Sequence, residues 1–275
     1  MFCAQAFAEI SSNWVRVKPI GQGATPGVSV PGEIRARLNL PPGESLSAVI
    51  IVHGSGGIDE RGPFYAKALN EAGIATLELD LWTARGVTGI STRPKTTLDT
   101  LPDVWGGWLY LAGHPKIDRN RIGITGFSWG GVLSWISAFS IRPANSPPEI
   151  LQAKFQAHVP IYPICSSFLA GTRGKAALDA FAPSGAPVLI INGTQDDYDI
   201  DSKDCEKLPA LYAKVPLTVL MLEGATHSFE VALTNSFFDP RAKDGKGGTI
   251  QIRPNPELAI RSRQAVVEFF KAQLK

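Results

Sequence analysis

The sequence predicts an α/β fold: a mostly parallel central sheet with helices on both faces. Short β-rich runs alternate with helical stretches along the chain, a pattern typical of a parallel sheet wrapped by helices. Several of these runs are uninterrupted apolar segments, as expected for central strands that are buried on both faces. The chain has 275 residues, of which 44% are apolar and 19% charged, so it can form one large hydrophobic core.

The predicted elements follow in a regular order. The first apolar strand, 48–52, ends in the glycine-rich loop 53–57, and Gly73 ends the helix at 62–73 because glycine favours the position after a helix. Further strands are predicted at 74–79, 121–126, 155–162, 188–192 and 217–222, with helices at 100–113, from 129, at 203–214 and at 256–274. Before residue 45 we predict one or two short antiparallel strands, around 13–18 and 28–40.

The N-terminus leaves two interpretations open. Residues 1–10 read MFCAQAFAEI, and Ala6-Phe7-Ala8 resembles the cleavage site at the end of a secretory signal. An ordinary N-terminus is the alternative. We therefore predict a signal-peptide remnant at 1–8 or none, and a single domain over 9–275. The protein would be periplasmic or secreted in the first case and cytoplasmic in the second.

Charge and hydropathy exclude two classes of partner. The net charge is +2 and the charges are scattered without a run of Lys or Arg, so the sequence offers no nucleic-acid groove or anionic-membrane patch. No stretch approaches the roughly 20 apolar residues of a membrane helix. We expect a small-molecule partner; oligomeric state is left open.

The segment Gly126-Phe127-Ser128-Trp129-Gly130 matches the nucleophile-elbow pattern G-x-S-x-G. This pattern describes a strand-to-helix turn so tight that the serine takes strained backbone angles and its neighbours must be small. Here it follows a predicted strand and precedes a predicted helix, which is the required context. Ser128 is therefore the predicted nucleophile.

The loop His53-Gly54-Ser55-Gly56-Gly57 follows an earlier buried strand and predicts part of an oxyanion hole. Acyl transfer builds negative charge on a carbonyl oxygen, and two preset backbone N–H groups stabilise it without reorganising. We expect one N–H group from Trp129 and the other from Ser55. His53 is expected to support the loop, although its use as the catalytic base stays open.

The acid and base should follow the nucleophile in the order Ser, Asp, His. Asp196 comes directly after the strand at 188–192, so it is favoured over Asp197 as the acid. His227 is the histidine that lies both on a loop and after the acid; His114 falls in a turn and His158 in a strand. Asp199 and Asp201 share the acid loop, but a calcium site needs regular ligand spacing and a distal Glu, so no metal or other cofactor is expected.

These residues resemble the dienelactone hydrolase family of the α/β-hydrolase superfamily. The matching text is HGSGG at 53–57, RIGITGFSWGG at 121–131, GTQD at 193–196 and EGATHSF at 223–229, within a resemblance that covers roughly 45–275. The family's nucleophile, acid and base fall on Ser128, Asp196 and His227. The segment DLWTARG at 80–86 also looks like a family loop beside the active site, which implies that Arg85 contacts substrate.

One departure limits what the resemblance implies. Dienelactone hydrolases proper carry cysteine at the elbow, whereas a serine hydroxyl needs its adjacent base in every turnover. The resemblance therefore implies a serine hydrolase that cleaves a carboxylic ester or lactone through an acyl-enzyme, with no dienelactone substrate attached. Two alternatives stay open: a serine peptidase of the prolyl-oligopeptidase type, and an inactive binding module on the same scaffold.

Cys165 and Cys205 follow neighbouring strands of the predicted sheet. Because their strand ends should meet at the catalytic edge, we predict a Cys165–Cys205 disulfide that holds the loop around Asp196. Two buried free thiols are the alternative.

Overall fold

The computed structural model describes residues 10–89 and 92–275, so the predicted signal remnant at 1–8 lies outside the described residues. The strands are β1 (Ser11–Val17), β2 (Ile34–Leu40), β3 (Leu46–Val52), β4 (Ala75–Asp80), β5 (Ile117–Phe127), β6 (His158–Ile161), β7 (Val188–Gln195), β8 (Leu217–Thr226), β9 (Asn235–Asp239) and β10 (Gly248–Ile252). The helices are α1 (Arg61–Glu71), α2 (Leu101–Ala112), α3 (Trp129–Ile136), α4 (Pro148–Gln152), α5 (Arg173–Asp179), α6 (Asp204–Leu211), the irregular turn α7 (Ala242–Gly245) and α8 (Pro256–Gln273).

An eight-stranded sheet in the order β1-β2-β4-β3-β5-β6-β7-β8 forms the centre of the fold. Strands β4, β3, β5, β6, β7 and β8 are mutually parallel, whereas β2 runs antiparallel to both of its neighbours. The predicted α/β fold with a mostly parallel sheet is confirmed, and β1 and β2 are the antiparallel strands expected before residue 45.

Strand β3 shows why its continuous apolar run is needed. Alternate side chains of a strand point to opposite faces of the sheet. Ala48, Ile50 and Val52 face the core under α2 and α3, whereas Val49 and Ile51 face the core under α1 and α8. All five side chains are fully buried, because helices cover both faces.

The parallel topology places the carboxyl ends of β3, β5, β7 and β8 at one edge of the sheet, where ligands bind in open α/β sheets. The glycine-rich loop follows β3, Ser128 follows β5, Asp196 follows β7 and His227 follows β8. A second sheet, the antiparallel hairpin β9–β10, follows β8 along the chain. Among the described residues, no helix combines the length and apolar character needed to cross a membrane.

The predicted disulfide is confirmed. Cys165 and Cys205 are bonded, and their Cα atoms are 5.0 Å apart. Cys165 lies in a short turn after β6 and Cys205 in α6, so the bond joins the chain on either side of β7 and its acid loop.

Replacing both cysteines by alanine should lower the free energy of unfolding by roughly 4 kcal/mol, because the bond closes a loop of about 40 residues in the unfolded chain. Urea denaturation would measure the difference. As a control, a reductant should shift the wild-type midpoint toward that of the double variant and leave the variant unchanged. Coincident midpoints without reductant would contradict the prediction.

Candidate active site

The turn between β5 and α3 holds Ser128 in a strained conformation. Its φ is 52° and its ψ is −106°, a combination that L-residues rarely adopt. The Ser128 amide donates to Ile161 O at 3.0 Å, and the Ser128 carbonyl accepts from Val132 N at 2.8 Å. The backbone is therefore fixed from both sides, and Ser128 lines a cavity.

Glycines allow the backbone around Ser128 to pack this closely. A Cβ atom at Gly126 would lie 2.5 Å from Gly130 C, and one at Gly130 would lie 2.1 Å from Val52 O. A Cβ atom at Gly131 would lie 2.5 Å from Ile161 O. Backbone atoms cannot move aside as a flexible side chain can, so the elbow pattern has a steric cause in this chain.

His227 forms a hydrogen bond with Asp196. The distance from His227 Nδ1 to Asp196 Oδ2 is 2.8 Å, and both side chains are almost completely buried. The other oxygen, Asp196 Oδ1, accepts from the Tyr198 amide at 3.0 Å. Asp197 faces elsewhere, since its Oδ2 accepts from the Gln251 amide at 2.9 Å. The structure thus brings Asp196 to the imidazole, in agreement with the preference made from the sequence.

Two tyrosine rings enclose the imidazole. The centroid of the His227 ring lies 4.3 Å from that of Tyr198 and 4.6 Å from that of Tyr162. Tyr198 also lines the cavity that contains Ser128. The His227–Asp196 pair is therefore next to a residue of the cavity wall. Among the described residues, no hydrogen bond joins Ser128 Oγ to His227. Contacts of this kind are often long before substrate binds.

The two predicted oxyanion donors line the same cavity as Ser128. Trp129 is the first residue of α3, where backbone N–H groups have no partner within the helix. The loop that carries Ser55 is held by a hydrogen bond from Trp82 Nε1 to Ser55 O at 3.1 Å. The Trp129 amide thus lies at the positive end of α3 and the Ser55 amide in a fixed loop, where both can donate to an oxyanion.

His53 supports this loop rather than acting as a base. Its Nδ1 lies 2.7 Å from Gly54 O, and its Nε2 accepts from the Leu81 amide at 3.0 Å. Burial lowers the pKa of His53 to about 4, despite the opposing effect of the Gly54 carbonyl. The ring is therefore neutral at pH 7, with both nitrogens engaged by backbone groups. His158 is likewise buried, and its Nδ1 lies 3.0 Å from Ser134 O.

The structure does not bring Arg85 to the cavity of Ser128. Its guanidinium pairs with Asp103, with 2.7 Å between Nη1 and Oδ2, and also donates to Leu81 O at 3.0 Å. The Asp103 side chain is completely buried, which raises its pKa to about 6 against the opposing charge of Arg85. A buried carboxylate needs a counter-charge, so Arg85 has a structural partner in place of the predicted substrate contact.

Two pocket residues have no counterpart in the sequence prediction. Asp239, at the end of β9, accepts from Tyr198 Oη at 3.0 Å, and Arg241 follows it. Both line the cavity of Ser128. The alternation in Gly248–Ile252 (GTIQI) could have indicated this hairpin, which is absent from the elements predicted from the sequence.

A grouping of acidic and sulfur ligands also lies near the acid loop. Oxygen and sulfur atoms of Cys165, Asp199 and Cys205 lie within 4.8 Å of one another. The two sulfurs are bonded to each other, so a single carboxylate remains as a ligand. Burial raises the pKa of Asp199, and the charge of Asp196 adds to this shift. Asp199 accepts from the Ser166 amide at 2.8 Å, which anchors the acid loop to the chain after β6.

Comparison with known proteins places this site in a family. A sequence profile of the dienelactone hydrolase family matches residues 34–274. A Methylorubrum extorquens protein named "Putative carboxymethylenebutenolidase" is 24% identical over 226 residues, which cover 78% of this chain and 74% of that protein.

Solved structures share the fold. A dienelactone hydrolase from Anabaena variabilis superposes with a TM-score of 0.63 and 21% identity, over 98% of this chain and 100% of that one. Thermogutta terrifontis esterase 2, phosphorylated by paraoxon, superposes with a TM-score of 0.64 and 15% identity, over 93% of each chain. The α/β-hydrolase fold and the match across most of the chain agree, and this chain belongs to the dienelactone hydrolase family of ester hydrolases.

Proposed function

We propose that this protein is a serine hydrolase that cleaves a carboxylic ester or lactone through an acyl-enzyme intermediate. The observation that carries the proposal is the buried His227–Asp196 hydrogen bond beside a cavity lined by Ser128. Asp196 accepts from His227 Nδ1–H, which leaves Nε2 as the basic nitrogen of the imidazole.

In the proposed reaction, Ser128 Oγ attacks the acyl carbonyl while His227 Nε2 takes its proton. The amides of Trp129 and Ser55 donate to the oxyanion that develops. His227 then gives its proton to the departing alkoxide, and the acyl group remains on Ser128. Water attacks the acyl-enzyme with His227 as base, which releases the acid and restores the serine.

The cavity is suited to a sizeable apolar group. Its volume is about 350 Å³, within the range of small-molecule sites. Apolar side chains dominate the wall beyond Ser128: Leu98, Val132, Ile136, Ile141, Phe168 and Leu178. An ester with a hydrophobic acyl or alcohol part fits this wall, whereas a peptidase would need to bind several backbone amides.

The proposal predicts rapid, irreversible modification by an organophosphate. Paraoxon phosphorylates the structurally similar esterase 2, and a nucleophilic serine beside preset amides should react in the same way. We expect paraoxon to add one diethylphosphoryl group per chain and to abolish hydrolysis of p-nitrophenyl esters. Intact-mass and peptide-mass spectrometry would assign the group to Ser128.

Two outcomes would contradict the proposal. An active esterase that paraoxon modifies elsewhere would exclude Ser128 as the nucleophile, and an unreactive chain without esterase activity would favour the inactive binding module. Peptide anilides serve as the control substrate. Faster turnover of anilides than of matched p-nitrophenyl esters would favour the peptidase alternative.

We also propose that the protein is exported to the periplasm or secreted. If residues 1–8 belong to a signal peptide, the protein is exported, and the Cys165–Cys205 disulfide supports this choice because such bonds persist in oxidising compartments. Fractionation of cells that express the full gene would test it.

A further inference from the structure

Arg93 is a buried cation with no hydrogen-bond or ion-pair partner among residues 10–89 and 92–275. The residue is 7% exposed, and none of its three guanidinium nitrogens has a hydrogen-bond partner among the described residues. Other buried arginines are paired: Arg61 with Asp59 and Arg85 with Asp103. An unpaired buried charge costs free energy in the folded state, so a side chain of this kind is typical of a ligand site.

The groups around Arg93 do not neutralise it. Its guanidinium carbon lies 5.5 Å from the centroid of the Trp129 ring. This cation–π contact is attractive, but the ring carries no negative charge that could neutralise the guanidinium. Asp239 is nearby, yet its carboxylate already accepts from Arg241 at 2.9 Å and from Tyr198. Burial lowers the pKa of Arg93, and the charge of Arg241 lowers it further.

Arg93 lines a second cavity beside the nucleophile. This cavity has a volume of about 390 Å³, and its wall includes Ser55, Gly56, Trp82 and Arg241. It shares Ser55, Tyr198, Asp239 and Arg241 with the cavity that contains Ser128. The apolar side chains Leu98, Val132 and Ile136 line the first cavity and not the second, whereas Arg93 lines the second and not the first. A single substrate could occupy both.

We propose that Arg93 binds an oxyanion group of the substrate, so that the substrate is an ester with a bulky apolar part on one side and a carboxylate, phosphate or sulfonate on the other. This inference rests on the proposed function. A guanidinium offers a planar fork of N–H donors that matches such groups bidentately. The three guanidinium nitrogens are inaccessible to solvent in this structure, although the residue lines the cavity. Binding therefore requires the Arg93 side chain to rotate so that its N–H groups face the cavity.

Matched aryl esters test the proposal. In the first comparison the charge lies on the alcohol part: 4-acetylphenyl hexanoate is neutral, and 4-carboxyphenyl and 4-sulfophenyl hexanoate are anionic. In the second comparison the charge lies on the acyl part: mono-p-nitrophenyl adipate is anionic, and p-nitrophenyl hexanoate is neutral. We expect the wild type to prefer the anionic member of at least one pair by about tenfold to hundredfold in kcat/KM, since charge-assisted hydrogen bonds are strong. The carboxylate and sulfonate arms identify the anion.

Arg93→Gln should abolish that preference and raise KM for the anionic ester. The matched control is Arg16→Gln, which removes the same charge from an exposed position on β1 and should retain the preference. A merely structural arginine would lower the melting temperature when replaced. Arg93→Gln should instead melt at the same or a higher temperature, because an unpaired buried charge is removed.

The outcomes separate this inference from the proposed function. Hydrolysis of neutral esters that requires Ser128, without a preference for any anionic ester, overturns the role of Arg93 and leaves the serine hydrolase intact. An unchanged preference in Arg93→Gln does the same. If no ester is hydrolysed, the proposed function fails. The role of Arg93 is then tested by calorimetry, which compares the affinities of the anionic amide 4-hexanamidobenzoate and the neutral amide 4-hexanamidoacetophenone. Equal binding of the two amides to the wild type would then overturn it.

Discussion

Ser128→Ala is expected to lower kcat for ester hydrolysis by about 10⁴- to 10⁶-fold, because loss of the nucleophile leaves only the oxyanion donors and the binding cavity. The side chain is small and lines a cavity, so its removal should not disturb the packing of β5 against α3. Steady-state hydrolysis of p-nitrophenyl butyrate measures the loss, and circular dichroism verifies that the variant is folded.

A matched control comes from the same helix. Ser137→Ala removes a hydroxyl that donates to Leu133 O at the C-terminal end of α3, and Ser137 is not among the residues that line the cavity. This variant should retain turnover close to that of the wild type. If Ser128→Ala hydrolysed esters at a similar rate, the hydroxyl at 128 would not be the attacking group and the proposed mechanism would be wrong.

Asp196→Asn is expected to lower kcat by about 10⁴-fold while preserving the fold. An asparagine amide can donate to His227 Nδ1, which would place the ring proton on Nε2. That nitrogen could then no longer accept the proton from Ser128. The replacement therefore retains the 2.8 Å contact between residues 196 and 227 but exchanges the donor and the acceptor of the hydrogen bond. Steady-state kinetics with the same ester measures the effect.

Asp197→Asn is the matched control for the acid. Its carboxylate accepts from the Gln251 amide, and an asparagine oxygen can accept the same hydrogen bond. We expect a change of no more than a few-fold. The reverse ranking of the two variants would assign the acid to Asp197 and would mean that the His227–Asp196 contact does not persist during turnover.

The order of elements could be predicted because each one has a local cause. Continuous apolar runs gave the central strands, and the glycine pattern around Ser128 gave the elbow, since backbone contacts at 2.1–2.5 Å would exclude any Cβ atom. The hairpin β9–β10 is not among the predicted elements because its strands are short and largely exposed or half-buried, so they carry little apolar contrast between their two faces. The turn between them also contains Gly and Lys residues that are typical of loops.

The polar partners of the site depend on long-range packing and were harder to predict. Asp103 lies within α2, and only the folded structure shows that it is buried against Arg85. The same holds for Arg93, whose sequence neighbours Thr92 and Pro94 indicate a loop but no burial. A local pattern can indicate candidates for the nucleophile, acid and base, whereas a candidate substrate contact depends on which charges remain unpaired after folding.

The glycine contacts at the elbow also determine where this enzyme can be redesigned. Any side chain at 126, 130 or 131 would collide with backbone of β3, β6 or α3 itself. The cavity wall tolerates change more readily, because Leu98, Val132 and Ile141 already place side chains at the wall of the cavity. Directed evolution for new acyl groups should therefore concentrate its diversity on the wall and leave the three glycines fixed.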